Sequence, residues 1–170
     1  MEIVVYGKKI PDPKTGELRM CSYCAAAKHL LDDKGLSYTY YDIDDDDIDI
    51  ITLTTKTAPG AKTVPIVVID NVWIGGHDKL VVHIREWEET VHDLRRRLKS
   101  GKSVNVRFTK SDGTVRDMTC TSNFDHIPAD KHPNTTLNAQ KEKDPNLFTV
   151  FDVEKQGWRS FKAEKLTKVF

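Results

Sequence analysis

Across 170 residues, 26 Lys plus Arg balance 26 Asp plus Glu, so no bulk charge argues for a nucleic-acid partner. Three cysteines are too few for a secreted disulfide framework and suit a reducing, cytosolic compartment. The longest plainly apolar run, Val64 to Ile69, is far too short for a membrane span, and no signal-peptide pattern precedes the first strand-like segment. The length allows one large domain or two small ones. Residues 1–101 carry 14 Lys plus Arg against 17 Asp plus Glu, and residues 102–170 carry 12 against 9, a mild asymmetry between the halves.

Glu2 to Tyr6 is apolar and β-branched and reads as a first, buried strand ended by Gly7. Lys8 to Met20 holds Pro11, Pro13 and Gly16 among polar residues and reads as a loop. It delivers the chain to Cys21, Ser22, Tyr23, Cys24, a C-x-x-C. Ala26, Ala27, Leu30 and Leu31 then fall at helical spacing as far as Gly35, a natural terminator. A thiolate at a helix N-terminus meets unpaired N–H groups and the positive end of the helix dipole, which lowers its pKa. Cys21 is therefore the expected nucleophile. Cys24 lies one helical turn further in, close enough to form a disulfide with it. Leu36 to Asp42 alternates as a second strand, and a β-α-β unit carrying C-x-x-C is the setting of thioredoxin-like redox sites. A structural zinc site would need two further ligands, and only Cys120 and scattered histidines remain.

The acidic run of Asp42, Asp44, Asp45, Asp46, Asp47 and Asp49 does not fit a calcium loop. An EF-hand beginning at Asp42 needs glycine and glutamate where Asp47 and Leu53 stand. These carboxylates read instead as a solvated loop, some of them stabilising a short helix near Ile48 to Thr55. Beyond it, Lys62, Thr63, Val64 and Pro65 lead into Ile66 to Ile69. Asp70 and Asn71 turn the chain into Val72 to Ile74, a hairpin, and Gly75, Gly76, His77 and Asp78 open a helix. A cis bond before Pro65 is plausible, since it costs an X-Pro bond only about 0.5–1 kcal/mol.

Taken in order, C-S-Y-C, T-V-P and G-G-H-D resemble the motifs of the glutaredoxins, over roughly residues 1–100, in a phage-type dithiol form. The resemblance implies a thioredoxin-like α/β fold in which Cys21 takes a mixed disulfide and Cys24 resolves it. It implies that Thr63, Val64 and cis-Pro65 face the dithiol, the Val64 backbone pairing with the cysteinyl unit of glutathione. Gly76, His77 and Asp78 would receive its γ-glutamyl end, and Tyr23 and Lys62 would flank the groove. Two positions depart from the family. Ser22 stands where proline is usual, as in relatives that hold a [2Fe-2S] cluster with glutathione. Leu18 stands three residues before Cys21 where a lysine is usual, with Arg19 a possible substitute. The implied partners are glutathione and a disulfide-bearing protein such as a ribonucleotide reductase.

From Asp78, Leu80, Ile84, Trp87, Val91, Leu94 and Leu98 form an apolar stripe on a helix of about twenty residues, closed by basic residues and Gly101. Its length suggests a connector from one core to a second, the competing reading being a dimerising helix. The period then changes to two: Val104 to Thr109 and Thr114 to Thr121 pair about Asp112 and Gly113. A proline-containing loop spans Phe124 to Asn146, and Leu147 to Asp152 pairs with Trp158 to Lys162. A closed or nearly closed small β-barrel is expected over residues 101–170, following a redox domain of residues 1–100. The later half resembles the Sm-like or SH3-like WYL-type barrels of phage proteins. Arg107, Lys110, Arg116, Arg159 and Lys162 with Trp158 and Phe161 have the residue types of a single-strand surface. An aromatic core with solvated charges between its members is the better reading. The expected function is glutathione-dependent thiol-disulfide exchange in the cytoplasm, host cytoplasm if phage-encoded. The alternative is an adaptor whose barrel recruits a macromolecule while the redox fold serves as scaffold or cluster holder.

Overall fold

A computed structural model describes residues 1–45, 48–133 and 144–170 of the chain. Asp46 and Asp47 of the acidic run, and residues 134–143 of the proline-containing loop, lie outside the described residues. The chain divides into two compact units, Met1–Arg85 and Glu86–Phe170. No helix among the described residues is long and apolar enough to cross a membrane.

The first unit is built on a four-stranded sheet of order β4-β1-β5-β6, where β1 is Ile3–Gly7, β4 Thr39–Asp42, β5 Ile66–Ile69 and β6 Val72–Gly75. β1 runs parallel to β4 and antiparallel to β5. All four residues of β5 are buried, as its unbroken apolar run requires of a central strand covered on both faces. The turn between β5 and β6 has Asp70 and Asn71 at φ 48° and 66°, the left-handed pair that a two-residue hairpin needs and that these residue types accept. β1 ends on glycine for a steric reason. A Cβ at Gly7 would lie 2.3 Å from the Tyr40 hydroxyl.

Between β1 and the dithiol the structure departs from the expected loop. β2 (Lys9–Pro11) and β3 (Leu18–Met20) form a hairpin in the register Lys9–Met20, Ile10–Arg19, Pro11–Leu18. Its tip is closed by Asp12, whose carboxylate accepts from the N–H groups of Lys14 and Thr15 and pairs with Arg19 at 3.1 Å. The prolines and Gly16 hide this hairpin in the sequence because each strand is only three residues long. Lys9 ties it to the acidic turn through ion pairs with Asp42 (3.7 Å) and Asp45.

Helix α1 is Ser22–Asp33, and its inward face is Cys24, Ala27 and Leu31, at the i, i+3, i+7 spacing of one helix side. Its end is a Schellman turn: Leu36 N–H donates to Leu31 carbonyl and Gly35 N–H to Asp32 carbonyl, with Gly35 at φ 62°. Leu36 is spent on that cap and is buried, so the second strand begins at Thr39 rather than at Leu36. Asp49 caps the short α2 (Ile50–Thr52), accepting from the Ile51 and Thr52 N–H groups at 3.0 and 3.1 Å, before a π turn over Leu53–Thr57. Helix α3 runs His77–Lys99, and the division between the units falls inside it.

In the second unit, β7 (Val104–Thr109), β8 (Val115–Thr121), β9 (Leu147–Asp152), β10 (Gly157–Lys162) and β11 (Leu166–Val169) form an antiparallel sheet of order β10-β9-β8-β7-β11. Two strands separate β7 from β10 in that order, yet Phe108 and Phe161 stack with ring centroids 4.6 Å apart. The sheet is therefore curled into a barrel-like form. Phe148 stacks on Phe161 at 5.3 Å, and Val91, Leu94 and Leu98 of α3 join these rings in one core. Trp87 donates its indole N–H to the Ala163 carbonyl at 3.0 Å. The alternation of β7, buried at Val104, Val106 and Phe108, is the period-two pattern of a strand with one face on a core.

Candidate active site

Cys21 is the N-cap residue of α1, with extended backbone angles (φ −51°, ψ 134°) and no side-chain cap hydrogen bond of its own. A cap position normally places a serine or aspartate oxygen against the N–H groups of the first turn. Here sulfur takes that place. Burial opposes the Cys21 thiolate, but the Cys24 and Tyr23 N–H groups, the Cys24 thiol and the charge of Lys8 together outweigh it. The thiol is held below its ordinary range. Cys24 moves the other way: it is fully buried, and burial first, then the neighbouring Cys21 thiolate and Asp42, raise its pKa. The dithiol is thus divided between Cys21, whose thiolate is favoured on the cavity wall, and Cys24, which burial keeps protonated one turn further in.

Lys8 is the residue that sequence reasoning missed. Its carbonyl accepts from Cys21 N–H at 3.1 Å, and its amine supplies positive charge to the same thiol. The lysine usual in the family stands three residues before the first cysteine, but here the hairpin of β2 and β3 separates Lys8 from Cys21 in sequence and returns the chain to it in space. Leu18, three residues before Cys21, is 70% exposed. Arg19, the suggested substitute, is engaged by Asp12. The signal available was a lysine directly after the first strand.

Cys21 forms part of the wall of a cavity of about 360 Å³ shared with Lys8, Lys62, Thr63, Val64 and Ile66. Ile10, Ile43, Ile50 and Leu53 complete an apolar side. The Val64–Pro65 peptide bond is cis. Gly76 abuts this loop, a Cβ there falling 3.5 Å from the Pro65 carbonyl oxygen, and Leu80 N–H donates to the Gly76 carbonyl at 3.1 Å to begin α3. Tyr23 is exposed, its ring centroid 6.1 Å from that of His77. Asp78 is exposed in the first turn of α3. The structure therefore gathers Cys21, Lys62, Thr63 and Val64 about one cavity, with Cys24 buried one helical turn beyond Cys21, Pro65 next to Val64, Gly76 against the loop and Tyr23 beside His77. Among the described residues no group of three or more His, Cys, Asp or Glu could hold a metal ion. For a cluster, the cavity lining offers one thiol, Cys21.

One activated thiol and one protonated thiol a helical turn away, on a β4-β1-β5-β6 sheet, give the chemistry of a thioredoxin-fold thiol-disulfide oxidoreductase. Within that class the N-terminal half carries a glutaredoxin domain: the glutaredoxin family model matches residues 3–74. Residues 91–167 match the family described as WYL_2, with an Sm-like SH3 beta-barrel fold. An uncharacterized 11.5 kDa protein of the Gp31-cd intergenic region of Enterobacteria phage T4 is 41% identical over 76 residues, 45% of this chain and 72% of that protein. Glutaredoxin 1 of Rickettsia conorii is 38% identical over 63 residues, 37% of this chain and 62% of that protein, so the chain spans less than two thirds of the latter's length. Among solved structures, reduced Escherichia coli glutaredoxin aligns at TM-score 0.40 and 28% identity, over 51% of this chain and 95% of that one. A buckwheat glutaredoxin-glutathione complex aligns at 0.38 and 30%, over 49% and 68%.

The division of the dithiol sets a pH dependence. Iodoacetamide alkylation of Cys21 should rise with pH about a midpoint below that of an ordinary thiol, about 8.5. Lys8→Gln removes a charge that favours the thiolate, so its midpoint should move upward; an unchanged profile would show that Lys8 does not act on the thiol.

Proposed function

We propose that the N-terminal unit reduces glutathione mixed disulfides and protein disulfides, with Cys21 as nucleophile and Cys24 as resolving thiol. The observation that carries this reading is the position of Cys21 as the N-cap of α1 on the wall of a cavity flanked by Lys8 and Lys62. The Cys21 thiolate attacks a disulfide sulfur, the Cys21–S bond forms as the substrate S–S bond breaks, and the other sulfur leaves as thiolate. Cys24, having lost its proton to solvent or to the departing thiolate, then attacks Cys21 and releases the second half. Alternatively a glutathione thiolate attacks the glutathione bound to Cys21, giving glutathione disulfide and the reduced enzyme.

Glutathione fits the site in its parts. The Thr63–Pro65 segment offers Val64 backbone groups to the peptide in the manner of an added strand. Gly76, His77 and Asp78 bring the free N–H groups of α3 to the γ-glutamyl carboxylate, Asp78 facing the α-amino charge. Tyr23 flanks the groove on the α1 side, and the lysines meet the glycyl carboxylate. The apolar side made by Ile10, Ile43, Ile50 and Leu53 exceeds what this polar tripeptide uses, and favours a protein disulfide with an apolar residue near its cysteine. A glutathione-coupled assay with a glutathionylated peptide tests the reading: turnover should saturate with peptide and rise with glutathione, and no turnover by the fully reduced protein would overturn it.

A further inference from the structure

Besides returning the chain to Lys8, the β2–β3 hairpin brings Ile10, the middle residue of β2, to the wall of the Cys21 cavity, where Ile43 and Ile50 also stand. Leu53 and Ile66 of that wall are buried members of a core on which Ile43 packs. Ile10, half-buried, and Ile50, 48% exposed, stand outside that cluster. The two isoleucines leave apolar surface in water beside the reactive sulfur, and a ligand with an apolar side chain of its own removes it.

Both are held in place by their neighbours. Lys9, next to Ile10, forms ion pairs with Asp42 and Asp45, which flank Ile43 in sequence. The far end of the hairpin is fixed where Cys21 N–H donates to the Lys8 carbonyl. The Asp49 cap makes Ile50 the first residue of α2. The apolar wall therefore exists before a ligand arrives, and little ordering opposes its use. Charge narrows the occupant further. Lys8 and Lys62 line the same cavity, neither has an ion pair among the described residues, and no carboxylate is in the lining. A basic residue is repelled there, and an apolar or acidic one is not.

The direction of a bound peptide follows from the placement of glutathione. With the γ-glutamyl end at Gly76 to Asp78 and the cysteinyl unit on Val64, the chain after the cysteine runs toward the lysines and the isoleucines. Glutathione ends there in glycine, which has no side chain to offer. A polypeptide continues. Resting on the thiol-disulfide reading above, we propose that Ile10 and Ile50 form a specificity subsite for an aliphatic side chain within two residues after the reactive cysteine of a polypeptide disulfide.

The test uses two symmetric peptide disulfides, identical except for Leu-Leu or Ser-Ser directly after the cysteine, each mixed with reduced full-length protein in the absence of glutathione. Cys21 thiolate attacks one peptide sulfur, and the other peptide leaves as thiolate. Cys24 then gives up its proton, attacks Cys21 and releases the bound peptide, so that one disulfide is reduced as the Cys21–Cys24 disulfide forms. Acid quenching and chromatography give the rate of peptide thiol release. The leucine peptide should react about tenfold or more faster than the serine peptide. Ile10→Ser with Ile50→Ser should bring the ratio to within about twofold, and Ile10→Leu with Ile50→Leu should restore it, with melting temperatures showing that both variants are folded. Ile51→Ser, at a 74% exposed residue outside the lining, should keep the wild-type ratio. Equal rates with the two peptides, reduction of glutathione disulfide but of neither peptide, or an undiminished ratio in the double serine variant would each overturn the subsite alone. A reduced protein that reacts with none of the three disulfides would overturn the redox reading beneath it.

Discussion

Cys21→Ser should lower glutathione-coupled disulfide reduction at least about 10³-fold, because a serine hydroxyl at the same N-cap is neither ionised nor comparably nucleophilic at neutral pH. Cys24→Ser should behave differently. The Cys24 thiol is fully buried and holds its proton, so its work falls after the mixed disulfide has formed. Its serine variant should keep a substantial part of the activity toward a glutathionylated peptide, where glutathione itself can complete the cycle. It should lose nearly all activity toward an intramolecular protein disulfide that needs a second thiol. The comparison separates the two roles by substrate rather than by the size of one defect. Equal loss with both variants on both substrates would show that the two sulfurs act only as a pair.

Asp152→Ala should cost the second unit about 3–5 kcal/mol, the range for removing one partner of a buried charge pair. Asp152 is 1% exposed and accepts from Arg116 as well as from the Glu154 and Lys155 N–H groups at 3.0 and 2.9 Å. A carboxylate with three donors at the end of β9 both closes the β9–β10 turn and neutralises Arg116. Truncation leaves the guanidinium, 26% exposed, and two turn N–H groups without their acceptor. Asp152→Asn keeps an acceptor but loses the charge, and should fall between the two. Chemical denaturation followed at Trp158, which packs on Phe151 beside this turn, reads the effect. A change below about 1 kcal/mol would mean that water satisfies those groups, as at an exposed pair.

The parts legible in the sequence are those whose cause is local. C-S-Y-C opens α1 because a small-residue helix follows it, and Asp70 and Asn71 make the hairpin turn because both tolerate positive φ. The long stripe from Leu80 to Leu98 gives one helix. The parts that were not legible depend on partners distant in the chain. β2 and β3 are too short, and too interrupted by Pro11 and Pro13, for their alternation to stand out. They become a hairpin through Asp12 at the tip and Lys9 on Asp42 and Asp45. Lys8 escaped notice for the same reason, since that insertion breaks the usual spacing to the cysteine. β11 is not evident in the sequence because Leu166 to Val169 is short, and its strand character comes from pairing with β7. The cations of the second half also divide by their partners. Arg107 lies against Asp117 with paired hydrogen bonds of 2.6 and 2.7 Å and Arg116 against Asp152, while Arg159 and Lys162 line a cleft.

The central claim is that a single thiolate, Cys21, takes the glutathione. Reduced Cys24→Ser protein mixed with glutathione disulfide and quenched with acid should carry one glutathione per chain, placed on Cys21 by peptide mass spectrometry. Cys120, buried and raised to about 12 by burial and by Asp152, should remain a free thiol throughout. Glutathione found on Cys120, or no adduct on Cys21 at any time, would contradict the account.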